Sequence, residues 1–373
     1  MGIVQSPDLV YTSRRPANGH PAWKFSSRVS VRRTPAMTNY KSKRVLITGG
    51  LGFIGSNLAI RLVQQGADVT LLDAMIPEYG GNLFNIAPVK DDVRINFSNV
   101  CDEFSVNHLV KNQDYIFHLA GQVSHIKSMT NPFDDIDFNI KGTVVLMEAC
   151  KKYNPVAVVV RSGTRGQYGP AIRLPVSEEA PSNPKGIYEI SNLTAEKIMK
   201  VYYENFGVKS VLLRLTNIYG PRAQMKTHHY GVANWFLRQA IDNETIKVFG
   251  DGSIKRDFLF VDDCVDAMLM CAVNPKAYGE ILNVGRDDPT TFLELAKLVV
   301  ETAGSGRWEF AEFTPERKAQ EPGDYLSDIT KIKQRVGWSP KTPLDEGLRT
   351  SIDYYRKHRH EYWEPLDQTV RIV

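Results

Sequence analysis

Short apolar runs alternate with longer amphipathic stretches along most of the chain. Residues 44–48, 68–72, 93–97, 114–119, 156–161 and 210–215 are runs of five or six, rich in Val, Ile and Leu, and read as strands. Between them, 53–65, 104–111, 135–152 and 187–206 repeat apolar residues at helical spacing and read as helices. The run 156–160 stays apolar without alternation, which fits a strand covered on both faces. Such alternation predicts an α/β fold built on a doubly wound parallel sheet. Past Gly220 the rhythm loosens. A helix over 232–241, a strand-like 246–249, a strand over 281–284, and helices over 291–303 and near 344–358 are expected there. The pattern divides the chain into an extension, 1–40, a main layer, 41–218, and a smaller C-terminal domain, 219–373. Segments near 244–263 and 281–286 are expected to return to the main layer.

Composition narrows the class without fixing it. In 373 residues, 42% hydrophobic and 24% charged are ordinary values for a water-exposed globular chain with ample core. No apolar run approaches the ~20 residues that span a bilayer. The net charge of +4 hides an asymmetry, because residues 1–44 carry nine Lys/Arg against one acid, Asp8, and the remainder is mildly acidic. That balance gives no case for nucleic-acid binding. The basic Ser- and Arg-rich tail has features of an organellar transit segment but lacks a clear amphipathic helix, so an unstructured extension and a cytoplasmic location are expected. Met37, just ahead of the first strand, is a second candidate start. Cys101, Cys150, Cys264 and Cys271 have no metal-ligand spacing and read as free thiols in a reducing compartment; no metal site is expected.

The first strand runs straight into glycines: Val45-Leu46-Ile47-Thr48-Gly49-Gly50-Leu51-Gly52-Phe53-Ile54-Gly55. Two registers fit, Gly50-x-Gly52-x-x-Gly55 and Gly49-x-x-Gly52-x-x-Gly55. Either builds a tight turn that lets backbone approach a pyrophosphate, and the helix starting near Phe53 and Ile54 aims free N–H groups at it. The second strand ends in Asp73, 18 residues past Gly55. An acid there bonds the ribose 2′-hydroxyl and repels a 2′-phosphate, so NAD is expected over NADP in a Rossmann-type layer.

Further blocks extend the pattern from about residue 43 to 355. They are Asp114-Tyr-Ile-Phe-His-Leu-Ala-Gly-Gln122, Asn139-Ile-Lys-Gly-Thr143, Ser162-Gly-Thr-Arg-Gly-Gln-Tyr-Gly169, Tyr188, Arg214-Leu-Thr-Asn-Ile-Tyr-Gly-Pro-Arg222, Val248-Phe-Gly-Asp-Gly-Ser253 with Arg256-Asp257, and Asn283-Val-Gly285. With these, the chain resembles the extended short-chain dehydrogenase/reductases of the NAD-dependent nucleotide-sugar epimerase/dehydratase family. The resemblance implies that Tyr188 is a general acid/base on a sugar hydroxyl and that Thr164 shares its proton's hydrogen bond. It implies Asn99 and Val100 near adenine, Leu119, Ala120 and Gln122 along the pyrophosphate and ribose, Asn139 nearby, and Ser162 near the nicotinamide. For the substrate it implies Asn217 and Arg256 at a diphosphate and Asp324 at the nucleotide ribose. It also implies a homodimer through helices resembling 135–152 and 187–206.

Two positions depart from the pattern. The lysine four residues after the tyrosine, which stabilises phenolate and holds the nicotinamide ribose, is Asn192 here. If such a lysine supplied about two pKa units, its loss would remove roughly 2.7 kcal/mol of phenolate stabilisation. Lys197 lies about 180° around the helix and is no substitute. Glu321 stands where related epimerases often carry a second diphosphate arginine; Arg222, Lys226, His228 and His229 are candidates to compensate. Family dehydratases place an acid directly after the active-site threonine, whereas Arg165 and Gly166 follow Thr164. The leading expectation is therefore 4-epimerisation through a transient 4-keto sugar. A 4,6-dehydratase or other nucleotide-sugar oxidoreductase is the second, and an NAD-binding module impaired by Asn192 is the third.

Overall fold

Strand β1 (Arg44–Thr48) sits at the centre of a seven-stranded parallel sheet, with β2 (Asp68–Leu72) and β3 (Val93–Asn96) on one side. On the other side lie β4 (Tyr115–His118), β5 (Val158–Thr164), β6 (Ser210–Leu215) and β11 (Ile281–Val284). The computed structural model describes residues 39–77, 79–227, 231–314, 318 and 321–363. The basic segment 1–36 and the pair His228–His229 lie outside them. Alternate side chains of each strand go to opposite faces. Val45, Ile47, Phe117, Val160 and Leu213 pack under α1 (Phe53–Gln64) and α7 (Val261–Ala272). Leu46, Ile116, Val159 and Leu212 pack under α4 (Gly142–Tyr153) and α5 (Ile187–Phe206). Both faces are covered, which is why these strands read as unbroken apolar runs. The doubly wound parallel sheet expected from the alternation is present.

Three local differences matter. The fifth strand starts two residues late and runs on to Thr164, because Asn154 turns the chain by donating to the Val110 and Gln113 carbonyls and Thr164 still pairs with Leu215. The helix expected over 135–152 opens as a π-helical turn, Asp135–Lys141, before α4. Such widened turns arise where side chains compete for the helix interior; here Asn139 and Asp135 meet Gln122 and Ser191 in a buried network. Third, the segment 245–249 does not return to the main sheet. It forms β8 (Thr245–Phe249) and pairs with β13 (Arg307–Ala311) in a separate parallel ladder. Two more short ladders join distant segments, β7 (Asn217–Tyr219) with β10 (Phe258–Phe260) and β9 (Lys255–Arg256) with β12 (Thr290–Thr291). Helices α6 (Val232–Ile241), α8 (Phe292–Ala303) and the closing helix α10 (Leu344–Tyr362) enclose their own apolar core beside these ladders. Among the described residues no helix is long and apolar enough to cross a membrane.

Candidate active site

A cleft of about 330 Å³ opens at the C-terminal ends of β1, β2, β4 and β5. Its floor is the glycine turn. Gly49 has φ +71°, and a Cβ there would lie 2.9 Å from the Ala120 nitrogen; a Cβ on Gly55 would lie 2.2 Å from the Gly49 carbonyl oxygen. Gly49, Gly52 and Gly55 all line the cleft and Gly50 does not, so the structure uses the second of the two glycine registers. No side chain caps the N-terminus of α1 at Gly52, which leaves its first N–H groups directed at an acceptor in the cleft. Asp73 lines the same wall. Its carboxylate accepts from Leu51 N at 3.0 Å and Met75 N at 2.9 Å, bonds that work against the rise in pKa that burial imposes. A bare helix N-terminus, glycines with no room for a side chain and a carboxylate at the second strand end together fit a dinucleotide.

Phe53, Ile54, Asn99, Val100, Leu119, Ala120, Ser162, Thr164, Tyr188 and Asn192 line this cleft as well. Gln122 and Asn139 also line it, yet their side-chain amides are engaged inside the wall. The Gln122 amide donates to Ser124 O and Asp135, and the Asn139 oxygen accepts from Gln122 N at 3.0 Å. Both residues shape the cleft from behind. Asn217, Arg256 and Asp324 sit beyond its lining, around the short ladders. The Asn217 amide donates to Asp257 O at 3.2 Å, and Asp324 accepts from Lys255 N at 2.9 Å. Arg256 is buried in an ion pair with Glu321 and donates to the Gly323 carbonyl. Glu321 therefore neutralises the arginine expected at a diphosphate. Arg222 does not compensate; its guanidinium is held by Asn85 O, Asn57 and the Tyr354 ring. Lys226 is exposed.

Helix α5 presents Tyr188, Asn192 and Glu196 at four-residue intervals, one above another on the face toward β5 and β6. Burial pushes the Tyr188 pKa up to about 12, and the neighbouring Thr164 side chain works against that rise by favouring phenolate. Asn192 accepts from Arg161 Nη2 at 3.0 Å. Glu196 accepts twice from Arg214, at 2.9 and 2.7 Å, and once from Gln167 at 2.8 Å. Gln167 in turn accepts from Thr164 N at 3.0 Å, so the buried Glu196 end of this column fixes the threonine opposite Tyr188. Arg161, Gln167 and Glu196 were not singled out in the sequence. The four-residue spacing from Tyr188 was the available signal for Glu196; nothing local marks Arg161. Arg165 lies over the Tyr325 ring at 5.0 Å and makes no hydrogen bond or ion pair among the described residues. Beside it, His125 Nδ1 is 2.6 Å from Glu189, which raises the histidine pKa.

Residues 45–285 match the model of the NAD dependent epimerase/dehydratase family. A UDP-glucose 4-epimerase of Mycolicibacterium smegmatis is 32% identical over 314 residues, covering 84% of this chain and 98% of that one. A dTDP-glucose 4,6-dehydratase of Streptomyces niveus is 30% identical over 334 residues, covering 87% and 95%. Among solved structures, the UDP-glucose 4-epimerase of Thermotoga maritima with UDP-glucose superposes with a TM-score of 0.77 at 32% identity, over 84% of this chain and 99% of that one. The chain belongs to the NAD-dependent epimerase/dehydratase family and is an enzyme of nucleotide-sugar epimerisation or dehydration that uses NAD.

Proposed function

We propose that the enzyme is a nucleotide-sugar 4-epimerase in which Tyr188 is the acid/base. The observation that carries this reading is the Tyr188–Thr164 pair on the cleft wall with Arg165 and Gly166, and no acid, directly after the threonine. NAD, when bound, supplies the group that takes hydride from the sugar and returns it. Gly49, Gly52, Gly55 and the start of α1 would hold its pyrophosphate, and Asp73 its adenosine ribose. Tyr188 accepts the C4 hydroxyl proton and gives it back once the 4-keto sugar has turned; Thr164 keeps the phenol oxygen in place during the exchange. Asn217 and Arg256 remain the proposed diphosphate contacts, with Arg256 requiring release from Glu321, and Asp324 the ribose contact. Arg165, which makes no ion pair among the described residues, adds a cationic group beside Thr164. We further propose 219–373 as the main substrate lobe and a homodimer in the cytoplasm.

The second reading is 4,6-dehydration. Glu189, adjacent to Tyr188 in the chain and with its second carboxylate oxygen buried without a partner among the described residues, favours it. One experiment separates them. The protein is incubated with UDP-, dTDP-, GDP- and CDP-hexoses and followed by proton NMR. Inversion at C4 supports the proposal. A stable 4-keto-6-deoxy product replaces it with dehydration, and NADH accumulating in step with substrate replaces it with net oxidation.

A further inference from the structure

A tyrosine that works as a base near neutral pH needs a positive charge close by. Helix α5 offers none one turn beyond Tyr188, where Asn192 stands. The strand opposite does. Arg161 on β5 is 4% exposed and lines the cleft. Besides its bond to Asn192, its Nη1 donates to the Ser162 carbonyl at 3.1 Å, and its Nε is buried with no partner among the described residues. The Asn192 amide nitrogen donates to the Tyr188 carbonyl at 2.9 Å. Asn192 thus ties the guanidinium to the turn of helix that carries the tyrosine. Buried cations are normally matched by a carboxylate. Both direct partners of Arg161 are neutral, and the nearby Glu196 is held by Arg214. Among the described residues no carboxylate bonds the guanidinium directly, and its charge faces the cleft.

Resting on the reading of Tyr188 as the base, we propose that Arg161 supplies the fixed positive charge that stabilises the Tyr188 phenolate, and that Asn192 is the bracket that positions it. The helix lysine of the family is replaced by a strand arginine. Arg161 remains charged across the neutral range, since burial draws its pKa down only to about 10. The other groups facing Tyr188 divide cleanly. Thr164 favours the phenolate, while Glu189 and Asp135 oppose it, with His125 paired to Glu189. His118 on β4 lies against Arg161 and stays neutral, its pKa held down at about 3.

The test uses the full chain with Arg161→Gln and with the exchange Arg161→Ser/Asn192→Lys. Trifluorotyrosine placed at position 188, whose ring fluorines bring the phenol titration down into the range where the chain stays folded, reports that titration by fluorine NMR in cofactor-free protein, and the pH profile of turnover is recorded on the holoenzyme. Arg161→Gln is expected to raise the Tyr188 titration by about one to two units, costing about 10- to 100-fold in rate at neutral pH and less as pH rises. The exchange should bring the titration back to within about half a unit of wild type. An unmoved titration in Arg161→Gln, or a rate loss equal at every pH, overturns the proposal. Should Arg161→Gln fail to fold, the exchange decides: a wild-type titration supports it and a raised one overturns it. The NMR titration needs no substrate, so a chain that inverts no sugar yet shows the shift keeps this inference and loses the epimerase reading.

Discussion

Replacing Tyr188 by phenylalanine removes one oxygen and keeps the ring. If that oxygen carries the proton, turnover falls by about 10²- to 10⁴-fold while nucleotide-sugar affinity, read by calorimetry, stays within a few-fold. A variant that loses affinity and keeps its rate would move the base elsewhere. Asn192 gives a less obvious prediction. Restoring the family lysine by Asn192→Lys looks like repair, but the new ammonium would stand where the buried Arg161 guanidinium now finds its acceptor. Two cations in one dry site repel, and Arg161 loses a hydrogen bond. The single variant is expected to be destabilised by about 1–3 kcal/mol in urea unfolding and to show no gain in rate. A faster enzyme of undiminished stability would mean that Arg161 is not the resident charge.

The elements meet around one histidine. His118 at the end of β4 is fully buried, with Nδ1 2.9 Å from Thr48 Oγ1 on β1 and Nε2 3.0 Å from Thr143 Oγ1 on α4. Burial, and then the charge of Arg161, holds its pKa down at about 3, against about 6.5 in the unfolded chain. Below pH 6.5 the unfolded chain binds a proton that the native one refuses. The stability owed to neutral His118 is thus complete above that pH and is lost as pH falls toward 3, by up to about 1.4 kcal/mol per unit. Urea unfolding from pH 7 to 4.5 should show wild type losing stability more steeply than His118→Asn; parallel curves would refute the assignment. This site also marks what sequence could and could not tell. Strand β1, its glycine turn and Asp73 were legible because their chemistry is contiguous and their spacing is set by one turn and one helix. Strand β8 was not. Its partner β13 lies some sixty residues on, and a five-residue apolar run does not say which ladder it joins. Arg161 was invisible for a related reason. Its meaning lies in Asn192, 31 residues away on another element.

At the scale of the whole molecule, one surface has apolar residues that the fold itself leaves uncovered. Met129 on α3 (His125–Thr130), Phe133, and Ile136 in the π turn are 51%, 71% and 47% exposed, and Ile190 and Val201 on α5 are each 47% exposed. Ile190 and Val201 are eleven residues apart, which brings them to the same side of the helix. Scattered exposed apolar residues need no explanation, but five on elements that pack against one another do. Helix α5 packs against α3, α4 and the π turn. Helices from two copies related by a two-fold axis would cover that surface with its own equivalent, the self-complementary arrangement that closed dimers require. The same helix bears Tyr188 and Asn192 on its inner face, so the dimer would brace the catalytic column from outside. Light scattering on the purified chain is expected to give the mass of two protomers. Phe133→Glu/Val201→Glu, both on the outer surface, should give one protomer with an unchanged circular-dichroism spectrum. A monomeric wild type would refute the dimer, and a double variant that stays dimeric would place the association surface elsewhere.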